Sequence, residues 1–133
     1  MAMPRMWRVP ALLFCLMLSV GTTNAAVTQD SFLLRNTGDL VDLCSATQAD
    51  PMYTAASNFC QGFTVGVFRV LQEEDMAQRS NHLFCMPNPA PTRNEAIASL
   101  VQWAKADPTR TNLAAADGIA AFLTQQYPCP RGR

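Results

Sequence analysis

The stretch Asp50-Pro51-Met52-Tyr53-Thr54-Ala55-Ala56-Ser57-Asn58-Phe59-Cys60-Gln61-Gly62-Phe63-Thr64-Val65-Gly66-Val67-Phe68-Arg69-Val70 decides the fold. Aspartate caps a helix by accepting an orphan N–H, and proline suits the first helical position because its missing N–H has no partner there. A helix is therefore predicted from Asp50-Pro51. Apolar or small residues recur at Met52, Ala56, Phe59, Phe63, Val67 and Val70, in steps of four, three, four, four and three. That spacing keeps one stripe toward a core. Gly62 and Gly66 lie four residues apart in the same segment. Each glycine costs about 1 kcal/mol relative to alanine in a helix, so a packing reason is expected. Both positions would let another helix come close, either from this chain or across a dimer seam. The helix is predicted to end near Arg79, after Gln72-Glu73-Glu74-Asp75.

Outward from this segment the pattern stays helical. An earlier helix is expected from about Thr37 to Ala46, with Thr37 as N-cap, Asp39 in the first turn and Leu40, Val41, Leu43 and Cys44 on one apolar face. The stretch Gln29 to Asn36 reads ambiguously. After the long helix, Pro87, Pro89 and Pro91 forbid a helix and favour an extended path. Thr92 to Glu95 is a capping-box pattern. It opens a third helix with Ala96, Ile97, Leu100, Val101 and Ala104 inward, which stops before Asp107-Pro108. A fourth is expected from near Thr109 to Gln126, with Leu113, Ala116, Ala120, Leu123 and Tyr127 at helical spacing and Pro128 as its stop. No stretch alternates with period two, and no Asn-Gly or Asp-Gly hairpin signal separates β-branched runs. The expectation is an all-α fold: a small disulfide-bonded bundle of about four helices.

The N-terminus reads as a targeting segment. Arg5 and Arg8 precede an apolar run from Val9 to Val20, and small or polar residues follow from Gly21 to Ala26. This is the order of a secretory signal peptide. The run of about 12 residues falls short of the roughly 20 that span a bilayer. Residues 1–25 are therefore assigned to the signal peptide and 26–133 to one domain, with cleavage after Ala25 or one residue later. No membrane association is expected once the signal is cleaved. Phe14 is too bulky for the position before a lipoprotein acceptor, which argues against Cys15 in that role.

Removal of Arg5 and Arg8 leaves eight bases against ten acids in the mature chain, so no basic surplus marks it as a nucleic-acid binder. Cys44, Cys60, Cys85 and Cys129 remain, and an even set in a small exported domain reads as two disulfides. Three pairings are possible. The chain has no C-x-x-C pair and His82 is its only histidine, which makes a zinc site improbable. No metal or cofactor is expected. A core this small is marginal without covalent help.

The residues around the cysteines carry a resemblance. Leu43-Cys44 is followed by Cys60-Gln61-Gly62-Phe63-Thr64-Val65-Gly66, then Cys85-Met86-Pro87, then Tyr127-Pro128-Cys129. In that order they resemble the Rap/Tai family of type VI secretion amidase-immunity proteins, over about residues 37–130. Phe63 stands where the family more often has tyrosine. The resemblance implies a disulfide-bonded, all-helical periplasmic protein, often dimeric, that binds a peptidoglycan amidase effector and blocks its active site. It also implies the pairs Cys44 with Cys60 and Cys85 with Cys129. Helix geometry makes the first pair awkward. Cys60 falls about ten residues, roughly 15 Å, past the predicted helix start, while Cys44 sits near the connector.

Each candidate site has a plainer rival. His82 with Asp75 or Glu74 has the makings of a general base and its orienting acid, but no serine or cysteine nucleophile pattern accompanies them, and an exposed loop histidine is the simpler reading. No enzyme activity is expected. The run Glu73-Glu74-Asp75 reads as a solvated face or as a contact for a basic partner. Trp103 suits an interface anchor or partial burial. The segment Gln78 to Asn88 is the proposed partner-binding surface, with Asn81, His82, Leu83, Phe84 and Met86 as contacts. The rival function is an orphan periplasmic stress or chaperone-like module whose carboxylates loosen a dimer on protonation.

Overall fold

The computed structural model describes residues 26–78 and 80–130. The expected signal segment 1–25, its cleavage site and Arg79 lie outside the described residues. A 3-10 turn, Gln29–Leu33, leads into α1 (Thr37–Cys44), α2 (Tyr53–Ala77), α3 (Arg93–Lys105), a four-residue α4 (Pro108–Thr111) and α5 (Ala115–Gln126). The protein is all-α among its described residues, with two disulfides.

The short α1 is the hub and packs against α2, α3, α4 and α5. Leu40, Leu43 and Thr37 are its fully buried side chains. Leu40 joins Phe84, Leu100, Ala115, Ile119, Phe122 and Leu123 in one apolar cluster. Leu43 joins Val27, Ala56 and Cys60 in a second. Burying a leucine this completely stabilises by roughly 1.5–3 kcal/mol.

Three boundaries differ from the sequence expectation, each because of a specific hydrogen bond. The N-cap of α1 is Asn36, whose side chain accepts the Asp39 N–H at 3.0 Å. Thr37 is instead the first helical residue. Its N–H and hydroxyl both donate to the Leu113 carbonyl, at 2.8 and 3.1 Å. That engagement breaks the predicted fourth helix in two. Asp107 caps α4, with Pro108 at its first position, one residue before the start expected near Thr109. The chain then turns through Asn112–Ala114 before α5 begins. The break rephases the helix, so Ala115, Gly118, Ile119, Phe122 and Leu123 face inward, while Leu113 and Ala116 are exposed.

The start of α2 also moves. Asp50 binds the Met52 N–H at 2.8 Å and the Val27 N–H at 2.9 Å, tying the N-terminal strand of chain to the turn. Regular helix begins only at Tyr53. The fully buried line is Ala56, Cys60 and Thr64; of the predicted stripe Ala56 is buried and Met52, Phe63 and Val67 pack half-buried against the core, while Phe59 and Val70 are exposed, Val70 at 58%. The Cys44–Cys60 bond turns that line toward α1. α3 opens on the capping box foreseen at Thr92–Glu95 and buries Leu100 and Ala104.

The cysteines pair Cys44–Cys60 and Cys85–Cys129, with Cα–Cα distances of 5.2 and 4.8 Å. The geometric awkwardness of the first pair is relieved because α2 starts at Tyr53, so that Cys60 lies seven residues, about 10 Å, past the helix start.

Candidate functional site

The segment between α2 and α3 is pinned at both ends. Asp75, two residues before the end of α2, is 8% exposed. One carboxylate oxygen meets His82 Nδ1 at 3.0 Å. The other accepts the Leu83 N–H. Asn81 takes the left-handed conformation, with φ 75°, which asparagine tolerates better than most residues. At the far end the Cys85 N–H donates to the Tyr127 carbonyl at 2.7 Å, beside the Cys85–Cys129 bond.

Between the anchors, Asn81, His82 and Leu83 stay exposed, Leu83 at 45%. Phe84 does not. It is 6% exposed and packs against Phe68 with ring centroids 6.0 Å apart. Its expected role as a partner contact is therefore corrected: it is the core anchor that lets the tip project. Met86 is half-buried against the same cluster.

Asp75 also departs from its acidic neighbours. Glu73 and Glu74 are exposed, but Asp75 turns inward as a loop clamp. It does pair with His82, the dyad read from sequence. Among the described residues no hydroxyl or thiol hydrogen-bonds that histidine, and Asp75's second oxygen is occupied by the Leu83 backbone. The four cysteines are oxidised. No group of three or more histidine, cysteine or acidic side chains is placed to hold a metal among the described residues. No described helix is long and apolar enough to cross a membrane.

Trp103 is used within the fold. Its indole N–H donates to Gln125 Oε1 at 3.0 Å, its ring meets Phe122 edge-on at 5.9 Å, and the Arg110 guanidinium lies 4.6 Å from its centroid. Arg110 also donates to the Trp103 carbonyl at 2.7 Å. This knot joins α3, α4 and α5. Sequence spacing gave no signal of it, because the partners lie on three elements.

The two helix-packing glycines expected from sequence are open. A β-carbon built at Gly62 or Gly66 meets nothing within 4 Å. Among the described residues no helix packs on them, which corrects the intrachain reading. They line a shallow groove of about 520 Å³ with Phe63, Val67, Val70 and Ala120.

A few carboxylates are tuned by their surroundings. Burial raises Asp42, helped by neighbouring Asp39 and opposed by Lys105. Glu95 is lowered by the Thr92 hydroxyl and then its N–H. Asp107 is lowered in the same way by Thr109, with a smaller contribution from Arg110. None of these lies in the projecting segment.

These features define a class: a small helical domain, cross-linked twice, that displays a pinned loop. The sequence profile of the Rap1a immunity proteins matches residues 36–129, and the chain belongs to that family. None of the curated proteins and none of the solved structures matches it at a significant level. Membership carries a coarse role, immunity to a secreted effector.

Proposed function

We propose that this protein is an exported immunity protein that binds and inhibits a type VI secretion peptidoglycan amidase in the periplasm. The observation that carries the reading is the family match over residues 36–129. The two disulfides and the signal-like N-terminus favour an oxidising compartment.

The inhibitory element is the segment Asn81-His82-Leu83. Its exposed tip is held by Asp75 on one side and by Phe84 and Cys85 on the other. A loop already fixed in shape loses less entropy on entering a cleft. Leu83 offers an apolar contact, and Asn81 and His82 offer hydrogen-bonding groups around it. Combined Asn81→Gly, His82→Gly and Leu83→Gly substitution, titrated calorimetrically against a peptidoglycan amidase that the parent protein binds, weakens binding at least about tenfold, the scale of one lost hot spot. Unchanged affinity in a variant with the parent melting temperature removes the loop from the interface.

The open face around Gly62 and Gly66 is where we place self-association. Small residues let a second copy's helix come within close contact, and among the described residues no side chain fills the space.

A further inference from the structure

His82 is the only histidine of the chain, and one of its two ring nitrogens is already engaged. Asp75 Oδ2 lies 3.0 Å from Nδ1. The other carboxylate oxygen, Oδ1, accepts the Leu83 N–H. The Asp75 side chain is 11% exposed and the His82 side chain 46%, so the carboxylate sits beneath the loop and the imidazole stands at its surface. Asp75 lies in the last turn of α2, and Asn81, with its left-handed backbone, precedes the two residues that return to it. Among the described residues no group hydrogen-bonds His82 Nε2.

A carboxylate offers acceptors and no donor. The nitrogen that meets it must therefore carry the hydrogen. Nδ1 is the N–H of the ring, and in the neutral imidazole Nε2 keeps the lone pair. The second oxygen of Asp75 is committed to the Leu83 backbone, which fixes the plane of the carboxylate and, through it, the ring. The exposed nitrogen of the loop is thus an acceptor of defined direction, set by a buried residue that no partner touches.

We propose that Asp75 is a positioning residue that fixes the tautomer of His82, and that His82 Nε2 is the acceptor with which the projecting loop recognises a hydrogen-bond donor in its partner's cleft. The partner group is an O–H, S–H or N–H. A carboxylate at that place is refused, because two lone pairs would face each other. The recognition rests on the assignment of this loop to the amidase. The tautomer is a property of the free protein and does not.

Two measurements test this, both on oxidised protein carrying no added histidines, at about pH 8, where an imidazole is neutral. The first is a nitrogen–proton correlation spectrum of the imidazole, to which a single ring contributes. It should show a protonated Nδ1 and a bare Nε2. A proton on Nε2 overturns the proposal, whatever the loop binds. Asp75→Asn should reverse the assignment. Its amide oxygen takes the Leu83 N–H, which leaves the amide NH2 to donate to Nδ1 and moves the ring proton to Nε2. The same exchange beside a catalytic histidine keeps the geometry and imposes the wrong tautomer. The second measurement is calorimetric titration against a peptidoglycan amidase that the parent protein binds. Asp75→Asn should bind at least about tenfold more weakly, because a donor then faces a donor. Adding His82→Gln in that background should restore part of the affinity, since a glutamine can turn its oxygen outward. A loss that His82→Gln does not restore is loop disorder and overturns the proposal. So does unchanged affinity in Asp75→Asn once its Nε2 is seen to carry the proton. In that case the combined glycine substitution at Asn81, His82 and Leu83 still decides separately whether the loop is at the interface.

Discussion

Gly118 of α5 lies against Thr37 of α1 so closely that a β-carbon built on the glycine falls 2.1 Å from the threonine hydroxyl. The contact explains why α5 reaches the hub helix at all. Thr37 is fully buried and spends its hydroxyl on the Leu113 and Ala114 carbonyls. It therefore cannot turn aside. Gly118→Ala should destabilise the protein by roughly 1–3 kcal/mol, the usual result of overpacking a tight core. Urea denaturation measures this directly. A neutral result would show that the two helices separate freely.

The two cross-links should differ in weight. The bonded cysteines are 16 and 44 residues apart in sequence. Loop-closure entropy alone makes the longer link worth about 1 kcal/mol more. Replacing Cys85 and Cys129 by alanine should thus cost more than replacing Cys44 and Cys60, within the usual range of about 2–5 kcal/mol per bond. Chemical denaturation of the two double variants decides the order.

Asp75 should control the order of the projecting loop. Asp75→Ala leaves the Leu83 N–H and His82 without their partner, at a cost of about 1–3 kcal/mol where the group is buried. Amide exchange should accelerate at Leu83 and its neighbours while the Leu40 and Leu43 amides of the hub stay protected. Uniform acceleration would mean that Asp75 supports the whole fold and not the loop.

Acid should weaken the helix starts. Glu95 and Asp107 are held below the ordinary carboxylate value by Thr92 and Thr109 respectively. Groups depressed in the folded state stabilise above their unfolded pKa, and that contribution disappears as pH falls through the folded value. Asp42, raised by burial, acts in the opposite sense and regains stability on protonation. Melting temperatures followed from neutral to strongly acidic pH should fall, and the fall should be shallower in Glu95→Gln. An unchanged slope would remove the capping box from the acid response.

Self-association should depend on the open face of α2. Gly66→Leu introduces a bulky side chain where, among the described residues, nothing lies within 4 Å of a built β-carbon. Sedimentation equilibrium should show the parent dimerising and the variant shifted toward monomer by at least about tenfold, or roughly 1.4 kcal/mol. Equal dissociation constants would place the seam elsewhere.

Local chemistry made much of this fold legible. Prolines and caps mark where α3 and α4 begin, because Thr92, Glu95, Asp107 and Pro108 act within a few residues of themselves. What escaped was long-range. The break before α5 comes from Thr37, seventy-six positions from Leu113, and no periodicity encodes it. The inward face of α2 follows Cys60 because a disulfide outweighs a marginal apolar stripe. In the candidate site, Asn81, His82 and Leu83 were recognisable as a tethered loop from Cys85 and the prolines. Phe84 was not separable from them, since one apolar residue in a loop reads the same whether it points out or in.

The most direct test of the central claim is to titrate purified type VI secretion peptidoglycan amidases with the oxidised protein, residues 26–133, and follow peptidoglycan cleavage. The account predicts that cleavage falls linearly and stops at roughly equimolar protein, the behaviour of tight stoichiometric binding. Cleavage undiminished in large excess of the oxidised protein would contradict it.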